Sequence, residues 1–294
     1  MKTLNYFSKA IIATAIFCST QIMAQDLSGT LATISETPEY VKAKDQGENL
    51  FQSLREHVPA ATRSLITEQI FLEKTDIPPY LTTSLAQDGW VKLDLTDDGS
   101  ALLKLPFAFS FFDSIQNTVW VNANGNLSFG SSVGNFTPEY FPLNMQLIAP
   151  FWADLQKSSI YSNSGIYLLQ EESSLRILYR NMALYDKDAA NTVTFEVILK
   201  EKSNTGGGNV SFAYHHISPK LMESLIGNQQ KGKPLFICGI NTGDLDNHIL
   251  IQLFDNLIYS FSLADSNVYG MMNADYYSFN METKSEFAQN LFVH

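Results

Sequence analysis

Between Gly89 and Leu263, apolar side chains recur at every second position, and this alternation constrains the fold more than any other feature. Successive strand residues point to opposite faces, so a period of two specifies one buried face and one outward face. Val91, Leu93 and Leu95 alternate with polar neighbours, and residues 103–112 (LKLPFAFSFF) are dense in β-forming aromatics. Leu175, Ile177 and Tyr179 share one face of a run over 174–180. Val193, Phe195, Val197 and Leu199 share one face of a run over 192–200. Turn residues punctuate these runs at Asp97-Asp98-Gly99, Glu172-Ser173 and 205–209. Asn124-Gly125 lies between 118–123 and 126–129, and Asn-Gly in that setting signals a tight hairpin because both residues tolerate positive φ. A two-residue loop there sets Trp120 opposite Phe129 and Asn122 opposite Leu127. Runs at 165–171, 210–217, 235–240 and 248–254 bring the number of short strands to at least eight, and residues 218–225 read as a short capped helix. The expected fold is mainly β: an antiparallel sandwich or barrel-like domain over 89–263.

The flanks differ. Residues 1–24 read as a signal peptide: Lys2 and Lys9, an apolar stretch over 10–18, then Ala24 before Gln25. Residues 25–88 read as a helical or irregular extension that either packs on the main domain or acts as a spacer. Within it, Thr37-Pro38 has the form of an N-cap followed by a first-turn proline. Leu50, Phe51, Leu54 and Val58 recur at helical spacing, and 60–72 could add another helix. Residues 264–294 read as a partly packed tail. The 294-residue chain is 45% hydrophobic and 17% charged, enough for a true core. Its net charge of −11 argues against nucleic acid and anionic membranes as partners. Two cysteines exclude a disulfide scaffold and a four-cysteine zinc site, and Cys238 is expected to be buried and inert. The implied destination is extracellular, with the periplasm as the alternative, and no segment after residue 24 is apolar enough to span a bilayer.

Two longer segments carry a resemblance. Residues 120–130 (WVNANGNLSFG) and 148–154 (IAPFWAD), in this order and spacing, resemble the nidogen-like (NIDO) extracellular domain. The flanking runs 105–112, 194–199 and 210–214, and Gly239-Ile240-Asn241-Thr242-Gly243-Asp244, resemble the same family, so the similarity covers about 90–262. The family occurs in matrix and cell-surface proteins such as nidogen and alpha-tectorin and in exported bacterial proteins. The resemblance implies a secreted, non-catalytic protein for cell-matrix adhesion, whose partner is an extracellular protein or glycan. It supplies no family-wide catalytic residues, so the chain is expected not to be an enzyme.

Residues able to carry chemistry are few. Gly130-Ser131-Ser132-Val133-Gly134 fits G-x-S-x-G, but the sequence after it is not helical, as a nucleophile elbow at Ser132 requires. His215 and His216 are neighbours on one strand and face opposite ways, which does not suit a shared metal. The glycines at 206–208 lack the Lys-Ser/Thr of a phosphate loop. Phe136, Tyr140 and Phe141 are candidate ligand contacts in a loop, alongside a role in core packing. Asp154 ends an apolar run and is expected either to pin the following loop by accepting backbone N–H bonds or to contact a ligand or cation. Asp244, Asp246 and Asn247 offer oxygen ligands for calcium, the one cofactor expected as an option. The alternative functions are an exported hydrolase with an unrecognised site and a structural component of a surface assembly.

Overall fold

A computed structural model describes residues 30–32, 37–48, 50–51, 53–54, 89–111, 114–141, 143–201, 210–228, 234–244, 247–250 and 276–279. The elements in chain order are β1 (Thr30–Ala32), α1 (Pro38–Asp45), β2 (Val91–Leu93), β3 (Ser100–Phe111), β4 (Ser114–Asn122), β5 (Asn126–Ser128), β6 (Gln146–Ala153) and β7 (Leu155–Lys157). They continue with β8 (Gly165–Gln170), β9 (Ser174–Leu184), β10 (Thr192–Lys200), β11 (Val210–Ile217), α2 (Pro219–Gly227), β12 (Phe236–Asp244), β13 (Asn247–Leu250) and β14 (Tyr276–Phe279). One antiparallel sheet has the order β1-β3-β4-β5-β6-β12-β13. The other has the order β14-β11-β10-β9-β8-β2, with β7 also paired to β9.

The two sheets face each other across one aromatic core, as a sandwich rather than a closed barrel. The odd-numbered side chains of β3, from Ala101 to Phe111, all enter it, as do Leu175, Ile177 and Tyr179 and the Val193–Leu199 set. Phe111 packs on Phe129 at 4.8 Å between ring centroids, and Tyr179 stacks on Phe195 at 4.6 Å. The Tyr179 hydroxyl crosses the core and donates to the Asn122 carbonyl at 2.8 Å, so the one polar atom that this ring buries is satisfied. Cys238 is buried in the same core, as expected, and its Sγ donates to the Pro150 carbonyl.

Strand β6 has no visible alternation because both its faces are covered. Ile148, Phe151 and Ala153 enter the main core. Leu147, Ala149 and Trp152 pack outward beneath the segment carrying Val133, Phe141 and Leu143. The Trp152 indole N–H donates to the Asn135 carbonyl at 2.9 Å. Asn241 clasps the other end of that segment, accepting from the Leu143 N–H and donating to the Leu143 carbonyl.

The Asn-Gly hairpin differs from its expected register by one position. Trp120 opposes Ser128, Val121 opposes Leu127 and Asn122 opposes Asn126, which leaves a three-residue loop, Ala123-Asn124-Gly125. The extra residue is held because the Ala123 N–H donates to the Gly99 carbonyl at 2.9 Å and Gly125 takes φ +82°. The asparagine-rich sequence is polar wiring. Asn122 Nδ2 donates to Asn126 Oδ1 and Ser128 Oγ, while its Oδ1 accepts from the Val133 N–H. Asn124 Oδ1 accepts from the Leu155 N–H, and its Nδ2 donates to Asp98 Oδ1 at 2.7 Å.

Part of the N-terminal extension packs on the domain. Of the residues expected to be helical from their spacing, Phe51 lies in a bend and Leu54 in a turn, and Val58 lies outside the described residues; the Glu139 carboxylate accepts from Ser53 Oγ at 2.6 Å and the Leu54 N–H at 2.9 Å. The runs expected at 60–72 and 206–208 lie outside the described residues, as does most of the expected tail.

Candidate functional site

Helix α1 begins as its sequence requires. Thr37 Oγ1 accepts from the Tyr40 N–H, and Pro38 occupies the first turn, where no N–H is needed. The helix carries Lys44 into a cup at one end of the sandwich. Three carboxylates meet its Nζ: Asp97 at 2.6 Å, Asp98 at 2.8 Å and Asp154 at 3.0 Å. Asp97 and Asp98 come from the turn between β2 and β3, and Asp154 from the junction of β6 and β7. Two rings wall the ammonium: Tyr185, 4.0 Å from centroid to Nζ, and Phe136 at 4.9 Å. The Lys44 side chain is 2% exposed and that of Asp98 1%.

The surroundings fix this arrangement. Asp98 Oδ1 is taken by Asn124, and its Oδ2 accepts from both Lys44 and the Tyr40 hydroxyl, the latter at 2.6 Å. The Tyr185 hydroxyl donates to Asp45 Oδ1 at 2.9 Å, tying the end of α1 to the domain. Phe51 packs edge-on against Phe136. The described residues between 37 and 54 thus form a strap latched at the acids, at Tyr185, at Phe136 and at Glu139.

Burial pushes the Asp154 carboxyl up to about 7, with Asp98 and Asp97 adding to the rise and Lys44 opposing it. Burial alone lowers the Lys44 ammonium, but Asp154, Asp98 and Asp97 outweigh it and hold the group above its ordinary value. Because Asp154 binds its proton more tightly folded than unfolded, its contribution to stability is full below about pH 4 and is lost as pH rises through about 7. The melting midpoint of the wild type should therefore fall between pH 5 and pH 8 relative to that of Asp154→Asn. Parallel midpoint profiles for the two proteins would disprove this.

The acids of the cup are the described residues whose spacing suits a metal ion: their ligand oxygens lie within 4.8 Å of one another. The cation among them is Lys44. A groove of about 690 Å³ opens beside the strap, with Tyr40, Tyr185, Asp94, Asp97, Gln156 and Lys157 in its wall.

A family model described as NIDO related matches residues 80–238, more than half of the chain. The chain belongs to this nidogen-like family. Alpha-tectorin of Gallus gallus is 38% identical over 116 residues, and alpha-tectorin of Homo sapiens is 34% identical over 116 residues; each match covers 36% of this chain. The chain spans only 6% and 5% of the length of those two relatives. No solved structure gives a significant match.

In this nidogen-like chain the residues singled out from the sequence are dispersed. Phe136 and Phe141 are buried, at 8% and 4% exposure, so neither is an open contact surface; Tyr140 is half-buried beside Phe141 and Leu143. Phe136 nonetheless reaches the cup, as its wall. Asp154 is in the cup, where its carboxylate pairs with a lysine; the side chain that accepts the N–H of the next residue, Leu155 at the start of β7, is Asn124. Asp244 and Asn247 are cross-strand partners at the end of the β12–β13 hairpin, and Asp246 lies outside the described residues. Ser132 follows β5 with no helix after it, so the nucleophile elbow is not formed. Lys44, Asp97, Asp98, Tyr40 and Tyr185 did not stand out in the sequence. Asp97-Asp98 reads as a turn, and nothing local marks Lys44, because its partners are 53 or more residues away.

Proposed function

We propose that this chain is an extracellular, non-catalytic binding module that engages a matrix protein, glycan or cell-surface partner. The observation that carries this reading is membership of the nidogen-like family over residues 80–238, which hold most of the sandwich core. The groove beside the strap supports it: tyrosines, carboxylates, an amide and a lysine together offer stacking and hydrogen bonding to a partner. Among the described residues, no helix is long and apolar enough to cross a membrane.

The test is a binding screen of the purified chain against immobilised matrix proteins and a glycan array, with and without a chelator. Saturable binding is expected, weakened at least about tenfold by Asp94→Lys, which reverses charge at the exposed rim of the groove. The chelator arm reads the calcium site proposed at Asp244, Asp246 and Asn247. Failure to bind any member of the panel, or binding indifferent to Asp94→Lys, would overturn the reading for this groove.

A further inference from the structure

We propose that Lys44 and Asp98 condense into an intramolecular isopeptide bond, a covalent modification that fastens helix α1 to the turn between β2 and β3. An ammonium and a carboxylate in contact ordinarily stay an ion pair, because water reaches the contact and favours the two ions over the amide. Here water is kept out: the two side chains are the most buried of the cluster, and the rings of Tyr185 and Phe136 cover the ammonium. The fold also holds the reactants together across 54 positions of sequence, with Asp98 Oδ2 2.8 Å from Nζ and the carboxyl carbon one bond beyond. Groups fixed at such a distance react as if at effective concentrations of about 10⁵ M and above.

The surroundings select Asp98 as the acyl partner. Asp97 Oδ2 is nearer to Nζ, at 2.6 Å, but its side chain is 19% exposed and that of Asp154 is 30% exposed, so solvent reaches both. Asp98 instead carries a donor on each oxygen: the Asn124 amide on Oδ1 at 2.7 Å and the Tyr40 hydroxyl on Oδ2 at 2.6 Å. These donors draw density from the carboxyl carbon and stabilise the negative charge that addition places on oxygen. Asp154 Oδ1, 3.0 Å from Nζ, is placed to carry a proton. In the step, Nζ gives one proton to Asp154 and its freed lone pair forms the C–N bond to Asp98 Cγ. A second proton from nitrogen and the proton held on Asp154 then join Oδ2, the Cγ–Oδ2 bond breaks, and water leaves. The three ammonium hydrogens end as one amide N–H and two hydrogens of water, Asp154 returns to its starting state, and no oxidant, reductant or cofactor is consumed. The two charges that disappear are the two most deeply buried, which relieves the cost of keeping both as ions away from water.

Intact mass spectrometry of the purified chain, followed by peptide mapping, tests this. The wild type should be lighter by one water than its sequence requires from the observed N-terminus. Its digest should contain a branched pair of peptides joined between Lys44 and Asp98, and trypsin should not cut after Lys44. Lys44→Arg keeps the cation, but its guanidinium does not condense, so that variant should show its full mass. A wild type at full sequence mass overturns the proposal. So does a missing water that persists in Lys44→Arg, because it would then arise from closure of Asp98 onto the Gly99 nitrogen. The map of the wild type decides between the two linkages even where Lys44→Arg fails to fold. No partner takes part in the condensation, so a negative result leaves the matrix-binding reading standing.

Discussion

Replacing Lys44 by methionine is expected to unlatch the strap. Methionine fits the space between Tyr185 and Phe136 but leaves three carboxylates around an apolar tip. Removing one side of a buried ion pair costs about 3–5 kcal/mol, because the remaining charges stay desolvated. The protein can escape that cost by releasing residues 37–54 into water, so the loss in global stability stops at the docking free energy of the strap. The sensitive readout is therefore local. Trypsin cleavage after Lys42, which is exposed on α1, should accelerate at least about tenfold in the variant, while the core melts as one cooperative unit. Adding Asp98→Asn and Asp154→Asn to Lys44→Met should restore part of the lost protection, because the orphaned charges are then gone. Equal cleavage rates in wild type and Lys44→Met would show that the latch is held by the aromatic and Glu139 contacts instead.

Gly125→Ala should be the most damaging single substitution in the hairpin. Gly125 has φ +82°, and a Cβ placed there would lie 2.0 Å from the Phe151 carbonyl oxygen. The oxygen is backbone and the Cβ position is fixed by the backbone, so the clash can be relieved only by moving the loop away from β6. That movement breaks the bonds from the Phe151 N–H to the Gly125 carbonyl and from the Ala153 N–H to the Asn124 carbonyl. It also displaces Asn124 from Leu155 and Asp98. The expected loss is about 4 kcal/mol or more, within the range reserved for a clash combined with unpaired buried polar groups. Gly130 is the control. It has a similar φ, +86°, but no atom lies within 4 Å of its would-be Cβ, so Gly130→Ala should cost only about 1 kcal/mol of left-handed strain. Urea midpoints for the two variants measure the difference, and similar midpoints would show that the hairpin tip is free to move.

The parts of this fold that are legible in the sequence are those where apolar side chains alternate with polar ones or the turn chemistry is local. β10 and β11 were expected at their observed bounds because Val193, Phe195, Val197 and Leu199 alternate along the first of them. β6 is invisible as a strand because apolar side chains occupy both its faces, which removes the period on which the reading depends. The hairpin at Asn124 was located correctly but misregistered, since its loop length is set by Gly99, a residue distant in sequence. The cup was illegible for the same reason. Its acids are contributed by two separate turns and its cation by a helix before both, and no spacing within any one segment encodes that meeting.

The acids and the lysine also stand in different parts of the chain. Asp97, Asp98 and Asp154 fall inside the span matched to the nidogen-like family, whereas Lys44 precedes it. The scaffold therefore carries a negative corner as part of its own body, and the neutralising charge arrives on a helix that precedes it. Grafting a different short helix onto the same sandwich would re-address that corner without altering a single strand.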